Sequence, residues 1–274
     1  MPGSGATSAA KVVDFSIELI VLYSRLIVNN PVILSGPRLF SSYFIVVIKR
    51  KVYKERILID YGMKRLEEVV AKVIKNLRTS GKLDGVRLSD SHRNTSGVDI
   101  SQMEERELTE YISNLTHLAY FHGIEPAKES WHQINGLLRP MVNAGIIELG
   151  KFLPYVPGID KNNLYQAIGI KIGKNTTIAP RVQFDYFHPE LIEIGENCLI
   201  GDGVKIWTHD YGLNFFMIGR VKIGDSVYIS SESVIGPSTT LGDNVRVGFG
   251  AFLFATNVPA NASVEGRTRS RYAQ

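Results

Sequence analysis

Between positions 172 and 253 the chain places an apolar residue at every sixth position, interrupted twice. Ile172, Ile178 and Phe184 form one run, and Ile194, Ile200 and Ile206 a second. Ile223, Ile229, Ile235, Leu241, Val247 and Leu253 form the third. All twelve are apolar in a chain whose hydrophobic content is 44%, so chance does not account for the pattern. Glycine often follows, as at Gly173, Gly195, Gly201, Gly224, Gly236, Gly242 and Gly248. An apolar residue and a small one every six positions is the mark of a parallel β-helix. Each unit makes one short strand and one turn, and the apolar side chain points into a narrow prism. Three units close one coil, and stacked coils share a continuous core. The period breaks at 185–193 and 207–222. Breaks in a repeat become loops, and loops on a rigid scaffold often carry function.

The preceding residues read as helical, which makes the whole chain α+β: an N-terminal helical region followed by a C-terminal β-helix. Residues 1–78 form a helical, partly apolar region. Leu66, Val69, Val73 and Leu77 recur at three- and four-residue spacing among charged residues, predicting an amphipathic helix ended by Gly81. Residues 79–101 are rich in Ser, Gly, Asp and Asn and read as a polar linker. Residues 102–160 read as a helical segment leading to the repeat. Ser101 with Glu104 fits a capping box, and the helix it opens is expected to close at Gly123 and Pro126. Residues 130–149 are expected to be helical with a kink or break at Pro140. Residues 161–274 form the repeat domain.

Composition narrows the function classes. Charged residues are 21% of the 274, a globular balance, and a net charge of +4 is too mild to argue for a nucleic-acid partner. Cys198 is the one cysteine, so no internal disulfide framework exists and a reducing, cytoplasmic setting is expected. No apolar run is long and uncharged enough to read as a transmembrane helix, and the N-terminus lacks the order of a secretory signal. The apolar run 40–48 is followed by Lys49, Arg50, Lys51, Lys54 and Arg56. Residues 12–56 therefore admit peripheral contact with the inner face of an anionic membrane. A core helix or strand followed by a solvated basic end is the simpler reading of the same residues.

Several stretches resemble the hexapeptide-repeat acyltransferases, in particular the branch of maltose, galactoside and nodulation-factor O-acetyltransferases. They are Ile168-Gly-Ile-Lys-Ile-Gly-Lys-Asn, Pro189-Glu-Leu-Ile-Glu-Ile-Gly-Glu-Asn, Gly203-Val-Lys-Ile-Trp-Thr-His-Asp, Val221-Lys-Ile-Gly-Asp-Ser-Val-Tyr-Ile and Val258-Pro-Ala-Asn-Ala-Ser-Val-Glu-Gly. The resemblance covers about the last 105 residues and implies a left-handed β-helix. It also implies a homotrimer with active sites between subunits, and acetyl-CoA as donor to a sugar or glycan acceptor. His209 matches the family's catalytic histidine, the base that takes a hydroxyl proton as oxygen attacks the thioester.

The other site expectations follow from that motif. Trp207 is a wall beside the acceptor, and Asn214 lies in the same loop. Asp210 adjoins His209 but points to the other side of an extended chain, which makes it an acceptor contact rather than the imidazole's partner. Glu232 and Asp202 remain the open alternatives for that partner. Tyr228 and Ser231 line the donor, the Ser231 N–H near the thioester. Phe249 stands where the family has a small alanine and is expected to stack on adenine. Arg267 and Arg269 are placed to meet a phosphate of the cofactor. No metal is expected: His188 and His209 are the only histidines of the repeat region, and a γ-class carbonic anhydrase site on this fold needs three. The departures at Phe249, Phe254 and Ala255 keep a second reading in view, a catalytically inactive β-helix scaffold or ligand-binding trimer.

Overall fold

The step of six becomes three parallel sheets wound around one core. A computed structural model describes residues 65–91, 97–115, 117–124, 131–153 and 161–266, all within the compact unit formed by residues 59–155 and 161–274. The expected membrane contact at 12–56 and the basic residues Arg267 and Arg269 lie outside the described residues. The first sheet stacks Lys171–Ile172, Ile192–Ile194, Val221–Ile223, Thr240–Leu241 and Asn257–Val258. The second stacks Thr177–Ile178, Leu199–Ile200, Tyr228–Ile229, Arg246–Val247 and Ser263–Val264. The third stacks Gln183–Phe184, Lys205–Ile206, Val234–Ile235 and Phe252–Leu253.

Register puts the periodic residues directly above one another. Ile172, Ile194, Ile223, Leu241 and Val258 make one column, and Ile178, Ile200, Ile229, Val247 and Val264 the next. Phe184, Ile206, Ile235 and Leu253 make the third. All twelve periodic positions are buried. The coils pack so closely at the corners that a Cβ on Gly195 would sit 2.5 Å from the Gly224 carbonyl oxygen. At the same corner Asn175, Asn197 and Asn244 adopt positive φ, a conformation that asparagine tolerates better than most residues.

The longer break is a β-hairpin, His209–Tyr211 against Phe215–Gly219. It leaves the prism and joins three strands from the N-terminal half: β1 (Arg87–Ser89), β2 (Val98–Asp99) and β3 (Leu118–His122). The result is one antiparallel five-stranded sheet in which Phe215–Gly219 pairs with β3. Helix α1 (Leu66–Thr79) packs its apolar stripe, including Val69, Val73 and Leu77, into a core with Leu88, Phe121, Phe216 and Ile218. Gly81 ends α1 at φ +70, as its position predicts.

The N-terminal half departs from the expected helices and linker at three points. The segment read as a polar linker contributes β1 and β2 to the sheet, and Val86, Leu88 and Ile100 are buried there. Helix α2 (Glu105–Ser113) stops early and gives way to β3 instead of running to Gly123. Ser101 forms no capping box: its N–H and hydroxyl both donate to the Asp99 carboxylate, at 2.9 and 2.7 Å. In the first two cases local propensity loses to strand pairing, and in the third a local bond to Asp99 takes the serine out of capping. The break expected near Pro140 separates α3 (Trp131–Asn135) from α4 (Leu138–Phe152). Pro140 sits in the first turn of α4, where its missing N–H costs no helical bond. Helix α5 (Asn162–Ala167) then leads into the first coil.

Candidate active site

Register between Phe184 and Ile206 makes the residues after each of them neighbours at the corner that follows the third sheet. Asp185 follows Phe184, and Trp207, Thr208 and His209 follow Ile206. Both breaks in the repeat therefore open from this corner. The Asp185 carboxylate is fully buried and accepts five hydrogen bonds. The Phe187 and His188 N–H groups donate to Oδ1 at 2.7 and 3.0 Å. The Thr208 and His209 N–H groups donate to Oδ2 at 2.8 and 3.2 Å, and His209 Nδ1–H donates to the same oxygen.

Burial alone would raise this carboxyl. The attraction and hydrogen bond of His209, followed by those of His188, outweigh it and hold Asp185 well below the ordinary carboxylate range. An ionised carboxylate accepts only, so the proton shared with it resides on His209 Nδ1. In the neutral form of the ring the lone pair is then on Nε2, and none of the described residues hydrogen-bonds that atom. Around the ring stand Phe187 edge-on at 4.7 Å, Tyr211 at 5.2 Å, and Trp207 and Phe216 at 6.3 Å between centroids. The His209 side chain is 12% exposed. The arrangement holds an imidazole in one tautomer within an aromatic, largely dry surround that leaves it slightly open to solvent.

The expected site residues divide between two corners. Trp207 is half-buried beside His209, and Tyr186 meets its ring at 6.1 Å. Asp210 is exposed and accepts a hydrogen bond from the N–H of Tyr211. Asn214 is exposed at the hairpin turn, and its carbonyl accepts from the Gly123 N–H at 3.0 Å. Tyr228, on the second sheet's outer face, and Ser231 and Phe249, at the corner between the second and third sheets, are not gathered with His209. Tyr228 and Phe249 are 43% and 56% exposed.

The two carboxylates left open as partners of the imidazole are engaged elsewhere, which corrects that expectation. Arg181 bonds both oxygens of Asp202 and reaches Glu232 at 3.3 Å, on the exposed corner before the third sheet. Asp185 takes the role instead. The signal for it was the repeat itself, because Phe184 and Ile206 both end a three-unit run. Phe187 and Tyr211 were likewise unread, and Trp131, 40% exposed and 5.5 Å from Phe187, extends the aromatic wall outward. Among the described residues no group of three or more His, Cys, Asp or Glu side chains is placed to hold a metal. No described helix is long and apolar enough to cross a membrane.

Comparison with known proteins places this site in context. A family profile described as "Bacterial transferase hexapeptide (six repeats)" matches residues 220–255. YvoF of Bacillus subtilis (strain 168), which carries the name of an acetyltransferase, is 34% identical over 148 residues. That match takes in 53% of this chain and 84% of YvoF. WcaF of Escherichia coli (strain K12), named for acetyl transfer in colanic acid biosynthesis, is 27% identical over 127 residues, 38% of this chain and 68% of WcaF. A solved maltose O-acetyltransferase from Clostridium difficile 630 aligns with a TM-score of 0.37 at 20% identity, over 53% of this chain and 87% of that one.

Proposed function

Because the chain belongs to the hexapeptide-repeat acetyltransferase family, we propose that it transfers an acetyl group from acetyl-CoA to a hydroxyl of a sugar or glycan. The observation that carries the reading is the buried Asp185–His209 pair, which leaves Nε2 as a free base facing an aromatic wall. Asp185 fixes the tautomer and favours the imidazolium that forms during the reaction. Nε2 takes the acceptor's hydroxyl proton as its oxygen bonds to the thioester carbonyl carbon. The tetrahedral intermediate then collapses and the C–S bond breaks. The leaving sulfur receives the proton from His209, which returns the histidine to its neutral form. A placed base of this kind is worth about 10²–10⁴-fold.

The acceptor class is supported by the rings of Trp131, Phe187 and Trp207, surfaces on which the apolar face of a sugar can stack, and by the glycan named in WcaF's title. We read the coils as left-handed and the working form as a homotrimer, both on family membership. The exposed Leu199, Tyr228, Phe249 and Phe252 support the second point, since they give the prism an apolar surface that another subunit would cover. In that assembly the corner of Tyr228, Ser231 and Phe249 in one subunit would hold the donor beside His209 of its neighbour.

Calorimetric titration with acetyl-CoA, together with thiol release in the presence of a sugar panel, tests the reading on wild type and His209→Ala. Binding with His209-dependent thiol release supports it. Failure to bind millimolar acetyl-CoA would end it and favour an inactive scaffold, which the bulky Phe249 and Phe254 at the donor end otherwise best support.

A further inference from the structure

The helices that precede the β-helix grip the first break at three points. The Asn143 amide donates to the Tyr186 carbonyl at 2.7 Å. Arg139 pairs with Glu190 at 3.1 Å, both nearly buried. Asn135, the last residue of α3 and 5% exposed, accepts a hydrogen bond on Oδ1 from His188 Nε2 at 2.8 Å. Asn135 also reaches the second break, where its Nδ2 donates to the Tyr211 hydroxyl.

The two partners of Asn135 occupy informative positions. His188 lies three residues after Asp185, in the turn whose N–H groups Asp185 Oδ1 holds. Tyr211 lies two residues after His209 on the same strand, stacked 4.6 Å from Phe216 and 5.2 Å from the His209 ring. One buried amide therefore joins the segment that carries the acid of the pair to the segment that carries the base. Asn135 is itself tethered, because the Asn76 amide on α1 donates to the carbonyl of Ile134, the adjacent residue, at 2.8 Å. Two segments that leave the same corner for different destinations have no shared ladder to keep them in register beyond Asp185 and the Thr208 hydroxyl bond to the His188 carbonyl.

We propose that Asn135 is a positioning residue for acyl transfer: it clamps the Asp185 turn to the His209 strand and so sets the direction in which His209 Nε2 faces the acceptor. The helical half of the chain thereby contributes to the chemistry without touching the reacting atoms. The proposal rests on the reading of His209 as the base, but the clamp has a physical signature that does not need turnover.

The test uses the full-length chain. Asn135→Leu keeps the side chain's size and removes both bonds; Asn143→Leu removes a bond from the same helical region that touches neither His188 nor Tyr211. Proton spectra at low temperature read the downfield resonance of the His209 Nδ1 proton held by Asp185, assigned by its loss in His209→Gln. Thiol release from acetyl-CoA with the best sugar of the panel reads the consequence.

Asn135→Leu should shift or broaden that resonance and lower kcat about 10- to 100-fold, with the KM for acetyl-CoA little changed. Asn143→Leu should leave the resonance in place. Should Asn135→Leu not fold, Tyr211→Phe, which removes one of the two bonds, should lower kcat in the same direction by less. The double variant should be no worse than Asn135→Leu alone, since both act through one clamp. An unshifted resonance with unchanged kcat in folded Asn135→Leu or Tyr211→Phe overturns the clamp. A shifted resonance in a protein whose wild type releases no thiol supports the clamp while removing the transferase reading.

Discussion

Two corners of one prism hold acidic side chains under opposite conditions. At the corner after the third sheet, Asp185 is fully buried and meets five donors. At the corner before that sheet, Asp202 and Glu232 lie open to water and share Arg181. The corner after the third sheet opens into both breaks of the repeat, whereas the corner before it keeps the regular turn, with Arg181, Gly203, Glu232 and Gly250 at positive φ. Among the described residues, the N-terminal sheet and helices cover the first corner, and the second presents its charges to solvent. Covered, a carboxylate can fix a histidine's tautomer and gains strength from the low local dielectric. Exposed, a carboxylate–arginine pair is screened and adds little.

The comparison breaks if the two corners respond alike to mutation. The largest expected effect is at Asp185→Ala, which orphans the N–H groups of Phe187, His188, Thr208 and His209. Breaking a buried charged network in this way costs about 3–5 kcal/mol, read as a fall in the urea midpoint, and should abolish thiol release. His209→Ala comes next. It should lower thiol release about 10²–10⁴-fold, and a control melt should show a far smaller loss of stability than Asp185→Ala. Both expectations fail if Asp185→Ala melts with the wild type.

A pH titration sharpens the same contrast. The folded-state pKa of Asp185 lies below its ordinary value, so its contribution is complete above that value and drains as pH falls toward the folded one. Wild type should therefore exceed Asp185→Asn in stability near neutral pH, and the margin should shrink as the solution is acidified below about pH 4. A margin that instead grew on acidification would reverse the assigned sign. The smallest effect on stability is expected at the open corner: Arg181→Ala should leave the melting temperature where it was, and added salt should not separate it from wild type.

How much of this was legible depends on the range of the interaction. The columns of Ile and Val were readable because each six-residue unit repeats the one before it, three units close a coil, and the stack follows from the period. His209 was readable from Thr208-His209-Asp210 and its place at a break. Asp185 was within reach: Phe184 and Ile206 each close a three-unit run, so their successors must be neighbours. The interrupted period concealed it, since 22 residues separate those two positions where later coils, such as Ile235 to Leu253, use 18. The clamp at Asn135 and the sheet that holds the hairpin left no such signal. Leu118–His122 is short and follows a helix, and its pairing with Arg87–Ser89 on one side and with Phe215–Gly219, about a hundred positions away, on the other makes it a strand.

The most direct test of the account sets the two corners side by side in one assay. Thiol release from acetyl-CoA, with the most active sugar of the panel, would be measured for Asp185→Asn, Asp202→Asn and Glu232→Gln, each shown by circular dichroism to be folded. The account predicts a loss of at least about 100-fold for Asp185→Asn and a far smaller effect for the other two, which lie beside the donor corner. Normal turnover in Asp185→Asn, or a collapse in Asp202→Asn or Glu232→Gln, would contradict it.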